Sequence, residues 1–263
     1  MIKKIIYCIF IFVGVGLFLF YIIQERFFFL NGKKIPKNVA YNFPQSFTEV
    51  NLITKDNETI NALHFKLEKS KGVILFFHGN KGNLRRWGNI VSYLLEYEYE
   101  VFVIDYRNYG KSTGSFNELK MYDDALLAYN HLTTKFSEDK IVVYGRSLGA
   151  TFAAKVASEN NPMHLILEAP FYNLKKATQF YFVLSPTFLI KYPFRTDLLI
   201  DKVASPVTFF HGDQDKTTSF DHSKELFKLV NSQQKEFVSI PTATHHNVKD
   251  YKIYTSKMKS ILE

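Results

Sequence analysis

The ten residues 141–150, which read IVVYGRSLGA, decide the fold of this chain. They join an apolar run typical of a buried strand to small residues repeated at helical spacing. A serine between two glycines at such a junction indicates a nucleophile elbow, in which a tight, strained turn exposes the hydroxyl of Ser147. Gly145 and Gly149 are needed because larger side chains would make the strand and the helix collide. The alternative is a tight turn without chemistry.

Short apolar runs alternate with helical patterns around this turn. Residues 46–56 and 58–68 alternate in polarity and predict a β-hairpin that turns at Asp56-Asn57. The later runs lack polar alternation, which favours a mostly parallel sheet covered by helices on both faces. They are 71–79, 99–106, 139–145, 164–170, 205–212 and 235–241. Further helices are predicted at 83–98, from a capping box at Ser115–Glu118 through Leu132, at 219–231 and at 248–262.

One segment breaks the alternation. Residues 171–204 are rich in aromatic side chains and contain no strand pattern. We expect one or two short helices over the carboxyl ends of the strands, forming a small lid or an acyl-binding wall. Ordinary packing of these helices against the sheet is the alternative.

The first thirty residues predict a membrane anchor. Ile5–Ile23 contains no charged side chain, and such a helix would measure about 28 Å, close to the ~30 Å hydrocarbon core of a bilayer. A cleaved signal peptide is the alternative, but it would have a shorter apolar run and small residues before the cut. We therefore expect a single-pass N-terminal anchor in a membrane. Basic residues flank both ends of the run, so the side of the membrane stays open, with a slight lean towards a cytoplasmic domain.

Charge and cysteine content exclude several classes of protein. The net charge is +8, but the basic residues are spread thinly and form no run of the nucleic-acid-binding kind. On a membrane protein, this charge favours anionic lipid surfaces. Cys8 is the only cysteine, which excludes an intrachain disulfide and a cysteine-based zinc site. The histidines and aspartates also lack the spacing of a known ligand set, so we expect neither a metal nor a cofactor.

A serine nucleophile requires a general base and an acid that orients the base. In the fold that an elbow implies, both follow the serine, each in a loop after a strand. The loop after 205–212 offers Asp213 and Asp215, and the loop after 235–241 offers His245 and His246. Aspartates that only shape a loop and a solvated histidine pair are the alternatives.

An oxyanion hole is predicted from two backbone N–H groups. One belongs to Leu148, which directly follows the serine, and the other to Asn80, in the loop after the strand at 71–79. Each such donor contributes about 3 kcal/mol to the stability of the transition state. His78 is expected to shape this loop rather than to act in catalysis.

Five motifs in this order resemble the α/β-hydrolase superfamily, and within it the membrane-anchored serine hydrolases of the ABHD type. They are FFHGNKGN, DYRNYGKSTGS, GRSLGA, HGDQD and THHN, and the resemblance covers about residues 45–262. It implies Ser147 as nucleophile, Asp215 as acid and His246, the histidine directly before Asn247, as base. Two departures stand out: Asn108 replaces a usual glycine, and no glycine precedes the base. The second departure keeps His245 as an alternative base.

The resemblance also implies a domain plan and an activity. An anchor at 1–30 and a connector at 31–44 would precede an α/β-hydrolase domain at 45–263. Its expected activity is hydrolysis of carboxylic esters or thioesters through an acyl-enzyme, with small acyl or lipid-like substrates. A serine peptidase of the aminopeptidase type is one alternative, although such enzymes use a larger cap with acidic residues. A catalytically idle membrane scaffold is the other.

Overall fold

A computed structural model describes residues 2–29 and 34–263, with the backbone alone at Phe27. The chain begins with helix α1 (Ile2–Phe28), of which residues 2–26 are long and apolar enough to cross a membrane, with a mean hydropathy of 2.7. None of the most apolar window of this helix is buried against the rest of the chain. Most of α1 therefore stands away from the domain that follows.

Eight strands form one sheet, as the apolar runs predict. The strands are β1 (Phe47–Ile53), β2 (Thr59–Phe65), β3 (Gly72–Phe77), β4 (Tyr99–Ile104), β5 (Ile141–Arg146), β6 (His164–Glu168), β7 (Val207–Gly212) and β8 (Lys235–Ile240). Their order across the sheet is β1-β2-β4-β3-β5-β6-β7-β8. β2 pairs antiparallel with β1 and β4, and every later pairing is parallel. The carboxyl ends of β3, β5, β7 and β8 therefore meet at one edge.

The helices that cover the sheet are α2 (Leu84–Val91), α3 (Glu118–Thr133), α4 (Gly149–Glu159), α7 (Phe220–Lys228) and α8 (Lys252–Leu262). The predicted capping box at Ser115–Glu118 is wrong, because Asn117 caps α3 and its side chain accepts a hydrogen bond from the Lys120 N–H. The predicted helices at 83–98 and 248–262 are each part 3₁₀-helix, at Ser92–Tyr97 and Val248–Asp250.

The loop after β4 closes on a network of charges. The Arg107 guanidinium pairs with Asp124 at 2.6 Å and with Asp56 in the β1–β2 turn at 2.8 Å. Asn108, which replaces the expected glycine, has a φ of 66°, a left-handed conformation that asparagine adopts more readily than most residues. This replacement therefore leaves the turn intact.

Residues 34–44 are packed on the domain. Ile35, Tyr41 and Phe43 are buried in the same apolar cluster as the α2 face, and Lys34 forms a bridge with Gly110. The residues at 30–33 lie outside the described part of the chain. The end of α1 is also packed on the domain, because Phe29 is buried and stacks on Phe116 with ring centroids 4.7 Å apart.

The aromatic segment forms a cap at the carboxyl edge of the sheet. It contains helix α5 (Leu174–Tyr181), a 3₁₀ turn at Thr187–Leu189 and helix α6 (Asp197–Ile200). Leu174, Thr178 and Phe182 face the cavity described below, whereas Val183 and Leu184 are exposed to solvent. The segment thus covers the edge at which the loops after β3, β5, β7 and β8 meet.

Candidate active site

Ser147 lies in a strained turn between β5 and α4. Its φ is 53°, a left-handed conformation that is unusual for a residue with a side chain, and its N–H donates to the Glu168 carbonyl at 2.9 Å. The flanking glycines are required sterically. A methyl group on Gly149 would collide with the Phe77 carbonyl oxygen, and one on Gly145 would lie 2.6 Å from the Ala150 Cα. The sequence therefore imposes the geometry of a nucleophile elbow on this serine.

Asp215 lies in the loop after β7, where its carboxylate is enclosed by donors. It accepts hydrogen bonds from the backbone N–H groups of Thr217 and Thr218, at 2.7 and 2.9 Å, and from the Thr218 hydroxyl at 2.8 Å. Burial raises the pKa of this carboxyl, but hydrogen bonds from His211 and His245 outweigh burial and hold the pKa well below its usual range. Asp215 is therefore ionised at neutral pH and can orient an imidazole. Asp213, the other candidate, accepts a hydrogen bond from the Thr242 N–H instead.

Of the two histidines that follow β8, His245 contacts Asp215, which corrects the expectation that His246 would make this contact. The His245 Nδ1 lies 2.7 Å from the Asp215 Oδ2, and His245 is buried, whereas His246 is exposed. The Asn247 side chain accepts hydrogen bonds from the Thr244 N–H and hydroxyl and so fixes the turn. Of the two adjacent imidazoles in this turn, that of His245 contacts the carboxylate; the second imidazole at Asp215 is that of His211, on the strand β7, whose Nε2 lies 3.2 Å from Oδ2.

The loop after β3 is held against the elbow. The buried His78 has its Nε2 3.2 Å from the Asp105 Oδ1 and its Nδ1 2.7 Å from the Gly79 carbonyl oxygen, which agrees with a structural role. Asn80 follows, and both its carbonyl and its side-chain oxygen accept from the Tyr109 hydroxyl at 2.9 Å. Asn80 and Leu148 line the same cavity as Ser147.

Arg146 is a site residue that the sequence interpretation did not identify. Its Nε lies 2.9 Å from the Glu168 Oε1, and its Nη2 donates to the His245 carbonyl at 2.5 Å. The guanidinium also lies 5.5 Å from the centroid of the Trp87 ring, in a cation–π arrangement. Arg146 thus ties the elbow to the loop that carries His245. In the sequence, the only indication that Arg146 belongs to the site is its position between Gly145 and Ser147.

A cavity of about 420 Å³ opens beside Ser147, His245 and His246. One part of its lining is apolar and includes Phe28, Phe29, Leu148, Phe171, Leu174 and Phe182. Another part is basic and consists of Lys81, Arg86 and Arg146. Among the residues that the structure describes, no aspartate or glutamate lines this cavity. The chemistry that this arrangement allows is nucleophilic attack on an acyl group next to an apolar wall.

The end of α1 belongs to the cavity wall. The Asn80 side-chain amide donates to the Phe28 carbonyl, and Phe28 and Phe29 both line the cavity. The expected boundary between anchor and domain thus lies close to residues that form the site. In the described part of the chain, no group of three or more His, Cys, Asp or Glu side chains could hold a metal ion.

Residues 68–198 match the model of the serine aminopeptidase family S33. Protein bem46 of Schizosaccharomyces pombe is 30% identical over 78% of this chain and 73% of its own length. The lysophosphatidylserine lipase ABHD12 of Gallus gallus is 26% identical over 71% of this chain and 51% of its own length.

The solved structure of a Pyrococcus furiosus esterase has a TM-score of 0.68 and 21% sequence identity, over 86% of this chain and 94% of that one. This likeness concerns the fold, and it agrees with the mostly parallel eight-stranded sheet. The similarity to bem46 extends along most of both chains. The chain therefore belongs to the α/β-hydrolase superfamily and, within it, to the ABHD-type hydrolases.

Proposed function

We propose that this chain is a membrane-anchored serine hydrolase that cleaves carboxylic ester or thioester bonds in lipid-like substrates. The proposal is carried by one observation. An ionised Asp215 holds the Nδ1 of His245 at 2.7 Å, in a loop that lines the same cavity as the strained Ser147. These three side chains supply the nucleophile, the base and the orienting acid of a catalytic triad.

The proposed reaction has two steps. The Nδ1–H of His245 donates to Asp215, which leaves Nε2 free to accept the Ser147 proton as Oγ attacks the carbonyl carbon. The backbone N–H groups of Asn80 and Leu148 hold the oxyanion, and the imidazolium returns its proton to the leaving alcohol or thiol as the ester bond breaks. Water, activated by the same imidazole, then releases the acyl group as a carboxylic acid.

The cavity lining favours an acyl ester with an anionic head group. Phe28, Phe171 and Phe182 supply an apolar wall, and Lys81 and Arg86 supply positive charge at the same cavity. The relative ABHD12 is named a lysophosphatidylserine lipase, which fits a substrate of this kind. An apolar helix able to cross a membrane would keep the enzyme next to such lipids.

An aminopeptidase is the second candidate, because the matching family model is named for one. Such an enzyme must bind the protonated amine of its substrate, and a carboxylate is the side chain that does so most strongly. The cavity has basic residues, and none of its described lining residues is acidic. We therefore expect hydrolysis of acyl esters and no turnover of aminoacyl anilides.

The test uses the full chain in detergent micelles, with a fluorophosphonate probe and p-nitrophenyl esters of increasing chain length. Ser147→Ala should abolish labelling, and His245→Ala should reduce turnover by about 10³-fold or more. His246→Ala is the matched control, since the neighbouring imidazole is exposed and makes no contact with Asp215 in the described residues. Loss of activity in His246→Ala but not in His245→Ala would overturn the assignment. A folded wild type that neither labels nor turns over esters would favour the scaffold.

A further inference from the structure

The cap and the end of α1 are joined at a fixed point. Gln24 is fully buried, its side-chain amide donates to the Leu189 carbonyl at 3.0 Å, and its side-chain oxygen accepts from the Lys191 N–H at 2.8 Å. The Gln24 side chain thus holds the backbone of this turn of the cap through both its amide N–H and its carbonyl oxygen. Next to it, the Tyr192 hydroxyl donates to Glu25 at 2.8 Å. These bonds fix the position of the cap along the axis of α1.

These contacts between the cap and α1 lie at the boundary of the apolar part of α1. Gln24 lies within residues 2–26, the range long and apolar enough to span a bilayer, and close to its carboxyl end. The Lys191 Nζ lies 4.6 Å from the centroid of the Tyr21 ring. Tyrosine and lysine are the residues that occupy the water–hydrocarbon interface of a membrane, with the ring below and the charge above. The cap therefore sits where α1 would leave the hydrocarbon.

Next to this joint the cap exposes large apolar side chains. Leu184 is 96% exposed and Phe188 is 74% exposed. Phe180, Tyr181, Phe182 and Val183 are also exposed, and we refer to these six residues as the cap tip. A cluster of exposed apolar side chains on a protein surface marks an interaction site. Three basic residues of the cap are paired with acidic side chains, Lys176 with Glu225, Lys191 with Glu25 and Arg195 with Asp197, so the exposed character of the cap tip is apolar.

We propose that the cap tip inserts into the same lipid leaflet as the carboxyl end of α1, so that the cavity opens towards the leaflet. The partner is a lipid bilayer, because Gln24 holds the backbone at Leu189, beside the exposed Phe188, at the end of the α1 range that could span a membrane. Tyr181 and Phe182 of the cap tip line the cavity, as do Phe28 and Phe29 at the end of α1. An acyl chain could thus pass from the leaflet to Ser147 between apolar walls. This inference rests on the proposed hydrolase function and on α1 as a membrane span.

The depth of the cap tip can be measured without catalysis. The full chain carries one cysteine, so a Cys8→Ser background accepts a single environment-sensitive fluorophore at Leu184→Cys. In vesicles of dioleoylphosphatidylcholine with nitroxide-labelled lipids, we expect this label to shift to the blue and to be quenched. Asp139→Cys is the control, because Asp139 is exposed at the amino end of β5, away from the site edge. Equal emission and quenching at both positions would overturn the proposal.

Activity provides the second arm of the test. Leu184→Glu and Phe188→Glu should lower hydrolysis of a long-chain lysophospholipid in vesicles by about tenfold, since each removes apolar surface that would be buried in lipid. Hydrolysis of water-soluble p-nitrophenyl acetate should be unchanged, because neither side chain lines the cavity. Ile253→Glu, an exposed apolar residue on α8, is the matched control. An equal loss on both substrates would overturn access from the leaflet.

The two proposals fail in different ways. If the wild type hydrolyses no ester and takes no fluorophosphonate, the hydrolase function fails, but quenching at position 184 still reports on insertion. If esters are hydrolysed and position 184 stays in water, the insertion fails and the hydrolase function stands. A protein partner on the cap tip would give that second result.

Discussion

Arg146 belongs to a buried charge pair that we expect to support both the stability of the fold and the position of His245, the proposed base. Its side chain is 12% exposed and that of its partner Glu168 is 7% exposed, with 2.9 Å between Nε and Oε1. The Glu168 Oε2 accepts a further bond from the Tyr144 hydroxyl at 2.7 Å. Removing only the cation from such a pair costs about 3–5 kcal/mol, because it leaves a buried carboxylate without compensation. We therefore expect Arg146→Met to lower the free energy of unfolding by about that amount.

A second variant separates stability from catalysis. In Arg146→Met/Glu168→Gln no buried charge is left alone, so at least about 2 kcal/mol of the lost stability should return. The bond from Arg146 to the His245 carbonyl is still missing, and a hydrogen bond from a charged donor contributes about 1.5–3 kcal/mol. We expect kcat/KM to stay at least about tenfold below that of the wild type in both variants.

The assays are urea unfolding of the full chain in micelles and hydrolysis of p-nitrophenyl butyrate. The single Glu168→Gln variant completes the double-mutant cycle with Arg146→Met. If the double variant regained full kcat/KM, Arg146 would have no part in holding the His245 loop. If Arg146→Met lost less than about 1 kcal/mol, the pair would not behave as a buried one.

Three further outcomes are expected. Phe29→Ala should lower the free energy of unfolding by about 3–5 kcal/mol, because Phe29 is buried among the rings of Phe116, Tyr192 and Phe194. Gly149→Ala should prevent folding or cost more than about 3 kcal/mol, since the added methyl meets the backbone of the strand β3. His164→Gln should weaken the acid dependence of stability. Burial lowers the pKa of His164 to about 4, so the unfolded chain binds a proton at this residue more readily than the folded chain does. The free energy of unfolding therefore falls as the pH drops from about 6.5 to about 4. A shift of this size gives at most about 3 kcal/mol, which partial exposure reduces to about 1–2 kcal/mol.

Each of these outcomes has a control. Phe12→Ala, on the exposed part of α1, should leave the stability of the domain unchanged. Gly79→Ala should fold, because its added methyl would lie 3.4 Å from the Trp87 ring, an ordinary contact. Unfolding curves of wild type and His164→Gln at pH values between about 4 and 7 should diverge on the acid side, and parallel curves would contradict the assignment to His164.

The sequence by itself determined the fold and the position of the turn that carries Ser147. Apolar runs without alternation predict the parallel strands, and this prediction is confirmed, because a strand buried on both faces leaves a local signature. The glycines on either side of Ser147 likewise reflect a local steric demand, the close approach of the strand β5 to the helix α4. Family membership follows from these motifs and their order, and the comparison with bem46 confirms it.

Only the tertiary structure decided which neighbouring groups meet at the site. His245 and His246 are chemically alike and adjacent, and the contact of one with Asp215 depends on the direction of the chain after β8. The pairing of Arg146 with Glu168 and the presence of Phe29 in the cavity wall join segments far apart in the chain. No periodicity encodes such contacts, since they arise when strands from distant parts of the sequence end at one edge of the sheet.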